Sequence, residues 1–283
     1  MPLVQQLAAQ AASLADTGLQ WNIIISDDAS TTHNGWLIQA QQMHGVTVLR
    51  AERNMGRAAN RNCLAQAAFD AGAEWLLFVD AGNQPASDDF IRNFLNAATD
   101  NNTVVCATCC VDGERPPRGC ELRWRYERAA ETNTDDKQAF RSAAFLIHAQ
   151  AMRRIAFDTT LRGYGYEDVL FGAELLRAGY TIRHIPNAVR LGNIETNQHF
   201  LSKTEESLHT LNSIAPRIGD ESRLLNIARR LRRLHLVTPC AAAYTLAAPL
   251  LRRQLLSHSP SLRLFATYKL GFFLNLKHCD GKY

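Results

Sequence analysis

The sequence predicts an α/β fold: an open, mostly parallel sheet flanked by helices. Three observations carry that expectation. Short apolar, β-branched runs alternate with helical stretches through the first part of the chain. Carboxylates follow two of those runs, Asp27 and Asp28 after "WNIIIS" and Asp80 after "EWLLFV". Strand ends of that kind are where open α/β sheets bind their ligands. From about Ser222 the pattern becomes helical and basic.

Taken in order, residues 3–15 have helical spacing and "WNIIIS" reads as a strand. "WLIQAQQM" predicts a helix and "VTVLRA" a strand. "GRAANRNCLAQAAFDAG" is helical and ends at Gly72, a C-cap candidate. "EWLLFVD" is a buried strand, and "SDDFIRNFLNAAT" a helix with Ser87 as N-cap and acids in its first turn. "TVVCATCCV" reads as one further strand. "GERPPRGCELRWRYERAAE" is a turn followed by an Arg-rich helix. "RGYGYEDVLFGAELLRAGYTIRHIP" reads as loop, helix, Gly179 cap and strand, with Glu167 and Asp168 in the first helical turn.

Charge divides the chain. Residues 1–214 carry 19 Lys and Arg against 24 Asp and Glu, and residues 215–283 carry 12 against 3. The expected organisation is therefore an α/β domain over 1–214 and a basic amphipathic helical tail over 215–283. In the tail, Leu224, Ile227, Ala228, Leu231 and Leu234 share one helical face and arginines take most of the rest. Such a tail fits an anionic membrane surface. No nucleic-acid-binding motif accompanies the charge, so nucleic acid is not expected as a partner.

Seven cysteines, an odd number with two adjacent, argue against a disulfide scaffold and for reduced thiols in a cytosolic compartment. "CATCC" reads as buried strand rather than zinc site, because no second ligand pair follows at zinc spacing. No signal-peptide pattern is read at the N-terminus. The longest uncharged apolar stretch, Val237 to Leu251, is interrupted by Pro239 and Pro249 and falls short of the roughly 20 residues a spanning helix needs. A dehydrogenase-type nucleotide fold is disfavoured, since no G-x-G-x-x-G follows a strand.

Together these signals resemble the family-2 glycosyltransferases, inverting enzymes of the GT-A fold, and among them the bacterial transferases of envelope polysaccharide and lipopolysaccharide. The resemblance rests on "SDDAS" (26–30), "NMGRAANRN" (54–62), "FVDAGNQP" (78–85), "LRWRYE" (122–127), "FDTTLRGYGYEDVLFGAELLRAGY" (157–180) and the segment "PNAVRLGNIETNQHFLSKTEESLHTL". It covers about residues 3–212 and is weaker in the tail. It implies transfer of a sugar, with inversion, from a nucleoside-diphosphate donor (a UDP-sugar first) to a glycan or lipid-linked acceptor. Asp168 is then the base and Glu167 its neighbour. Asp28 meets the nucleobase, Asp80 the ribose and diphosphate, and Arg57 and Asn62 shape the nucleotide pocket. A divalent Mg or Mn ion would fall to Asp80 and Asn83. The implied location is cytoplasmic, peripheral on the inner face of the plasma membrane.

Three departures qualify the resemblance. The family's first strand, which precedes its first helix, has no counterpart here, because the sequence opens at Met1-Pro2 inside that helix. Its absence would deprive neighbouring strands of backbone partners. The second carboxylate of the strand-end Asp-x-Asp is Gly82, and Arg190 stands where a metal-binding histidine is common. Ala144 likewise stands where an asparagine is expected. The metal site is thus expected to be degraded, with Arg190 supplying charge to the diphosphate in its place. The alternative is a catalytically inactive member of the same fold, acting as a binding or scaffold module.

Overall fold

Pro2 sits in the first turn of α1 (Pro2–Ala12), where its missing N–H removes no intrahelical bond. A computed structural model of the chain describes residues 1–31, 35–132, 139–161, 163–192, 194–219 and 222–279. After α1 come β1 (Ile23–Asp27), α2 (Gly35–Gln41), β2 (Val46–Arg50) and α3 (Arg57–Asp70). Then follow β3 (Trp75–Val79), β4 (Asn83–Pro85), α4 (Phe90–Ala97), β5 (Thr103–Cys106) and β6 (Cys109–Cys110). The middle holds α5 (Glu121–Thr132), β7 (Ala144–His148), α6 (Ala149–Arg154), α7 (Glu167–Arg177), β8 (Thr181–His184) and β9 (Val189–Leu191). Four helices close the chain: α8 (Asn197–Ile218), α9 (Arg223–Arg233), α10 (Val237–Leu255) and α11 (Leu262–Cys279).

The strands form a two-stranded sheet β1-β2, a four-stranded sheet β3-β7-β5-β8 and a three-stranded sheet β4-β9-β6. The α/β architecture is as expected, but pairing is more mixed than the alternation predicted. β1–β2, β5–β8 and β6–β9 are parallel, while β3–β7, β5–β7 and β4–β9 are antiparallel. β7 accounts for two of the three antiparallel pairs, because it lies between β3 and β5 and runs opposite to both. β1 and β3 lie in separate sheets.

Two further expectations are corrected. "TVVCATCCV" is not one strand. Ala107 N donates to Ala144 O and Val189 N to Thr108 O, so the chain changes sheets between β5 and β6. Ser87 does not cap α4. Its hydroxyl accepts from Asp89 N at 3.1 Å, in the turn ahead of the helix. The helix's own Ile91 N is satisfied by Gln10 Oε1 of α1 at 3.1 Å, and Gln10 Nε2 donates back to Ser87 O at 2.9 Å. A side chain remote in sequence thus does the capping.

By compactness the chain forms two units. The first comprises Met1–Cys110, Asp135–Arg162 and Glu174–Gly192, and the second Val111–Thr134, Gly163–Ala173 and Asn193–Tyr283. The 214/215 position, where charge changes, falls inside α8 and inside the second unit. Phe90, Phe94, Val105, Ala144, Leu146 and Val189 centre the first unit's core. Leu122, Phe200, Leu201, Leu255, Phe265 and Tyr268 centre the second. Continuous burial along β5 and β7 explains their unbroken apolar sequence. Burial pushes the Cys106 thiol up to about 12, so this residue is an inert core side chain.

Candidate functional site

On the first unit, the aspartates after β1 hold loops. Asp27 Oδ1 accepts from Ser30 N at 3.1 Å and its other oxygen lies 3.6 Å from Arg50. Hydrogen bonding from Ser30, opposed by burial and assisted by Arg50, holds this carboxyl below its ordinary value. Asp28 uses both oxygens on the β2–α3 loop: Oδ1 accepts from Met55 N at 2.7 Å and Oδ2 from Gly56 N at 3.0 Å. It therefore fixes the chain directly before α3, whose first residue is Arg57, with an exposed side chain.

Asp80 follows β3. Its Oδ1 accepts from Arg61 Nη2 at 2.8 Å, and the Arg61 guanidinium also lies 5.2 Å from the Phe157 ring. The Arg61 side chain is 8% exposed and that of Asp80 40%. Sequence reading chose Arg57 and Asn62 from "NMGRAANRN" and passed over Arg61. Spacing held the signal, because Arg57 and Arg61 are four apart and share a helix face. Asn62 points elsewhere. Its amide donates to Phe157 O at 2.8 Å and accepts from Phe157 N at 3.0 Å. It also lines a hollow of about 420 Å³ beside α6, with Gln66, Phe69 and Arg153, that includes none of the strand-end carboxylates.

The turn after Asp80 is closed by Asn83 N donating to Asp80 O at 3.2 Å. Gly82 has φ +92°, and its carbonyl accepts from Gly192 N at 3.0 Å. A side chain at 192 would place its Cβ 2.2 Å from that carbonyl oxygen. Both glycines are therefore required by the turn. β9 continues the contact: Asn83 pairs with Leu191 and Gln84 with Arg190. Cross-strand partners share a face and successive residues alternate, so Arg190 and Asn83 project to opposite sides of this ribbon. Asn83 is buried, with its amide 3.4 Å from Ala143 O.

These donors do not fit a divalent cation. Asp80 is a single carboxylate already engaged by a guanidinium, and Asn83 is turned inward. Among the described residues no group of three His, Cys, Asp or Glu side chains converges on a metal-sized site.

Glu167 and Asp168 lie on the second unit, in the first turn of α7. The preceding loop is clamped to α8: Tyr164 N donates to Glu206 at 3.0 Å, and Thr210 Oγ1 donates to Tyr164 O at 3.1 Å. Gly165 has φ +83°, and a Cβ there would lie 2.7 Å from Ser207. Tyr166, with φ +64°, follows in a left-handed conformation uncommon for a side-chain-bearing residue. Glu167 is buried and Asp168 half-buried, its Oδ1 accepting from Val169 N at 2.8 Å. Burial, then the fields of Tyr126 and Asp168, raise the Tyr166 phenol above its usual value. The structure thus gathers Asp28, Arg57, Asp80, Asn83 and Arg190 on one unit and the acidic pair on the other, and it adds Arg61 to the first.

Strand-end carboxylates, a mixed α/β sheet and a helix-opening acidic pair define a GT-A-type glycosyltransferase architecture. Residues 2–161 match the profile of glycosyl transferase family 2, and the chain belongs to that family. Among solved structures, a mannosyltransferase from Pyrobaculum calidifontis, in complex with GDP-Man and Mn2+, is 15% identical with a TM-score of 0.56. That likeness covers 98% of this chain and 85% of the other. S. aureus TarS, residues 1–349 with UDP, is 14% identical with a TM-score of 0.50, over 100% and 88% of the two chains. At these identities the likeness is one of fold. No curated protein matches the chain in sequence.

Proposed function

We propose that the chain transfers a sugar, with inversion, from a nucleoside-diphosphate donor to a glycan or lipid-linked acceptor of the cell envelope. Asp168 takes the acceptor's proton. The observation that carries the assignment is the backbone beneath it: strained Tyr166 and the Gly165 loop, clamped to α8, give a half-buried carboxylate a fixed base. A positioned base of this kind contributes about 10²–10⁴-fold. On the donor side, Asp28 holds the loop before α3, and Arg61, Arg57 and Arg190 supply positive charge for the diphosphate. The similar mannosyltransferase was solved with Mn2+. The donor set here favours guanidinium charge instead. A UDP-sugar is the first donor to test.

The reaction site is proposed to lie on the inner face of the plasma membrane. In support, α9 and α10 are bent by 119° relative to each other and expose leucines beside arginines. Among the described residues, no single helix is long and apolar enough to cross a membrane.

Calorimetry with UDP and GDP, with and without Mn2+, tests the reading. The expected result is binding that is indifferent to Mn2+, followed by donor turnover in a sugar screen. No binding under either condition would favour the inactive-module alternative.

A further inference from the structure

Lys269 of α11 is a half-buried cation set between aromatic rings. Its Nζ lies 5.2 Å from the Tyr126 ring centroid and 4.7 Å from that of Phe265. Among the described residues it has no carboxylate partner. The described carboxylates of the facing helices are committed elsewhere. On α5, Glu127 pairs with Arg123 at 2.6 Å and Glu121 with Asn197 and His258. On α8, Glu205 pairs with Arg252 and with Tyr268, and Glu206 binds the Tyr164 backbone. Burial lowers the Lys269 pKa, as uncompensated desolvation must.

Tyr126 is 37% exposed. Its ring also packs against Phe200 and Phe265, with centroids 5.5 and 5.8 Å apart. The Tyr166 phenol feels both Tyr126 and Asp168. All of these residues belong to the second unit. A partly accessible aromatic ring with an ammonium 5.2 Å from its centroid, in the unit that holds Asp168, fits a sugar ring that carries an anion. Rings stack on aromatic faces, and a lysine binds phosphate as a point charge.

We propose that Tyr126 and Lys269 form an acceptor subsite for a phosphate-bearing sugar, with Lys269 as the specificity-determining residue. The proposal rests on Asp168 being the acceptor-side base. A phosphate could come from a lipid carrier or from a soluble glycosyl phosphate, and the probes separate them.

The test compares N-acetylglucosamine 1-phosphate, its diphosphate ester on a short prenyl chain, and the neutral methyl glycoside. Binding is read by saturation-transfer NMR on the full chain, and UDP binding is measured in parallel. Preference of about tenfold for a phosphate probe over the neutral glycoside is expected. Lys269→Met should abolish that preference, and Tyr126→Leu should weaken all three probes. UDP affinity should be unchanged in both variants, so loss of UDP binding in the wild type would count against the transferase reading instead. Because Lys269→Met removes an uncompensated desolvated charge, its melting temperature should hold or rise. Response to the prenyl ester alone assigns a lipid carrier, and response to both esters assigns the phosphate itself. Equal binding of ester and neutral glycoside, an unaltered preference in Lys269→Met, or a clear fall in its melting temperature would overturn the proposal.

Discussion

Arg61 Nη2 lies 2.8 Å from Asp80 Oδ1, so the strand-end carboxylate of this transferase already has a cation. A guanidinium keeps its charge at any working pH and suits oxyanions in a way an ammonium does not. Asp80 remains 40% exposed, so the pair is open to solvent on the carboxylate side. Arg61→Met would leave Asp80 uncompensated. UDP affinity is expected to fall by about tenfold or more, and Mn2+ should begin to matter because a carboxylate has been released. Calorimetry with and without Mn2+ reads both effects. Unchanged, Mn2+-indifferent binding would remove Arg61 from the nucleotide site.

The change at position 82 goes beyond a swapped side chain. Gly82 has φ +92° and its carbonyl is held by Gly192 N, whose own residue has no room for a Cβ. Restoring the family's carboxylate with Gly82→Asp should therefore strain the turn, costing about 1–3 kcal/mol, without producing Mn2+-dependent binding. Urea denaturation and the same calorimetry check the two halves. A stable variant with strong Mn2+ dependence would mean that the turn tolerates a second carboxylate.

Much of the framework was legible because strands and helices here keep clean periods: β5 and β7 are buried along their length and read as continuous apolar runs. What stayed hidden is long-range. Gln10 caps α4 from 81 residues away, and nothing local marks it. The break at Ala107-Thr108 depends on partners at 144 and 189. At the site, strand-end position picked out Asp28 and Asp80. Arg61 was missed because it lies one helical turn beyond Arg57, buried in a segment that was read for its motif rather than its face. In the tail, Leu225 is the buried residue of α9, while Ile227 and Leu234 of the predicted apolar face are 48% and 57% exposed.

Glu121 gives the second unit an acid-sensitive joint. Burial would raise its pKa, but hydrogen bonds from its own backbone N–H, His258, Gly119 and Asn197 outweigh that and hold it at about 2. A carboxyl with a depressed folded pKa stabilises fully above its unfolded value, near 4.5, and loses that contribution as pH falls toward 2. The denaturation midpoint should thus decline through this acid window. In Glu121→Gln the decline should be shallower, starting from a lower stability at neutral pH. Parallel slopes in the two proteins would show that Glu121 is not responsible.

Asp168→Asn keeps shape and removes the proposed base. With a donor and acceptor in hand, turnover should drop by about 10²–10⁴-fold, while UDP affinity and melting temperature stay near wild type. Retained turnover would move the base elsewhere. Glu167, being buried, should behave differently, with Glu167→Gln showing in stability as well as rate.

Leu246 and Leu250 are 83% and 71% exposed, one turn apart on α10. Arg253 lies on the same helix and α9 carries further arginines, so this exposed face is the one proposed to meet an anionic membrane. Each leucine fully buried in lipid would contribute about 1.5–3 kcal/mol, and each basic residue near anionic headgroups about 1 kcal/mol. Leu246→Ser with Leu250→Ser should therefore weaken sedimentation with phosphatidylglycerol vesicles at least tenfold, with no change in melting temperature. Raising salt should weaken the wild type too, because exposed charges are screened within about 8–10 Å. Vesicle binding that survived both treatments would place the membrane contact on another face. Binding lost to salt alone would make the arginines the anchor and leave the leucines without a role there.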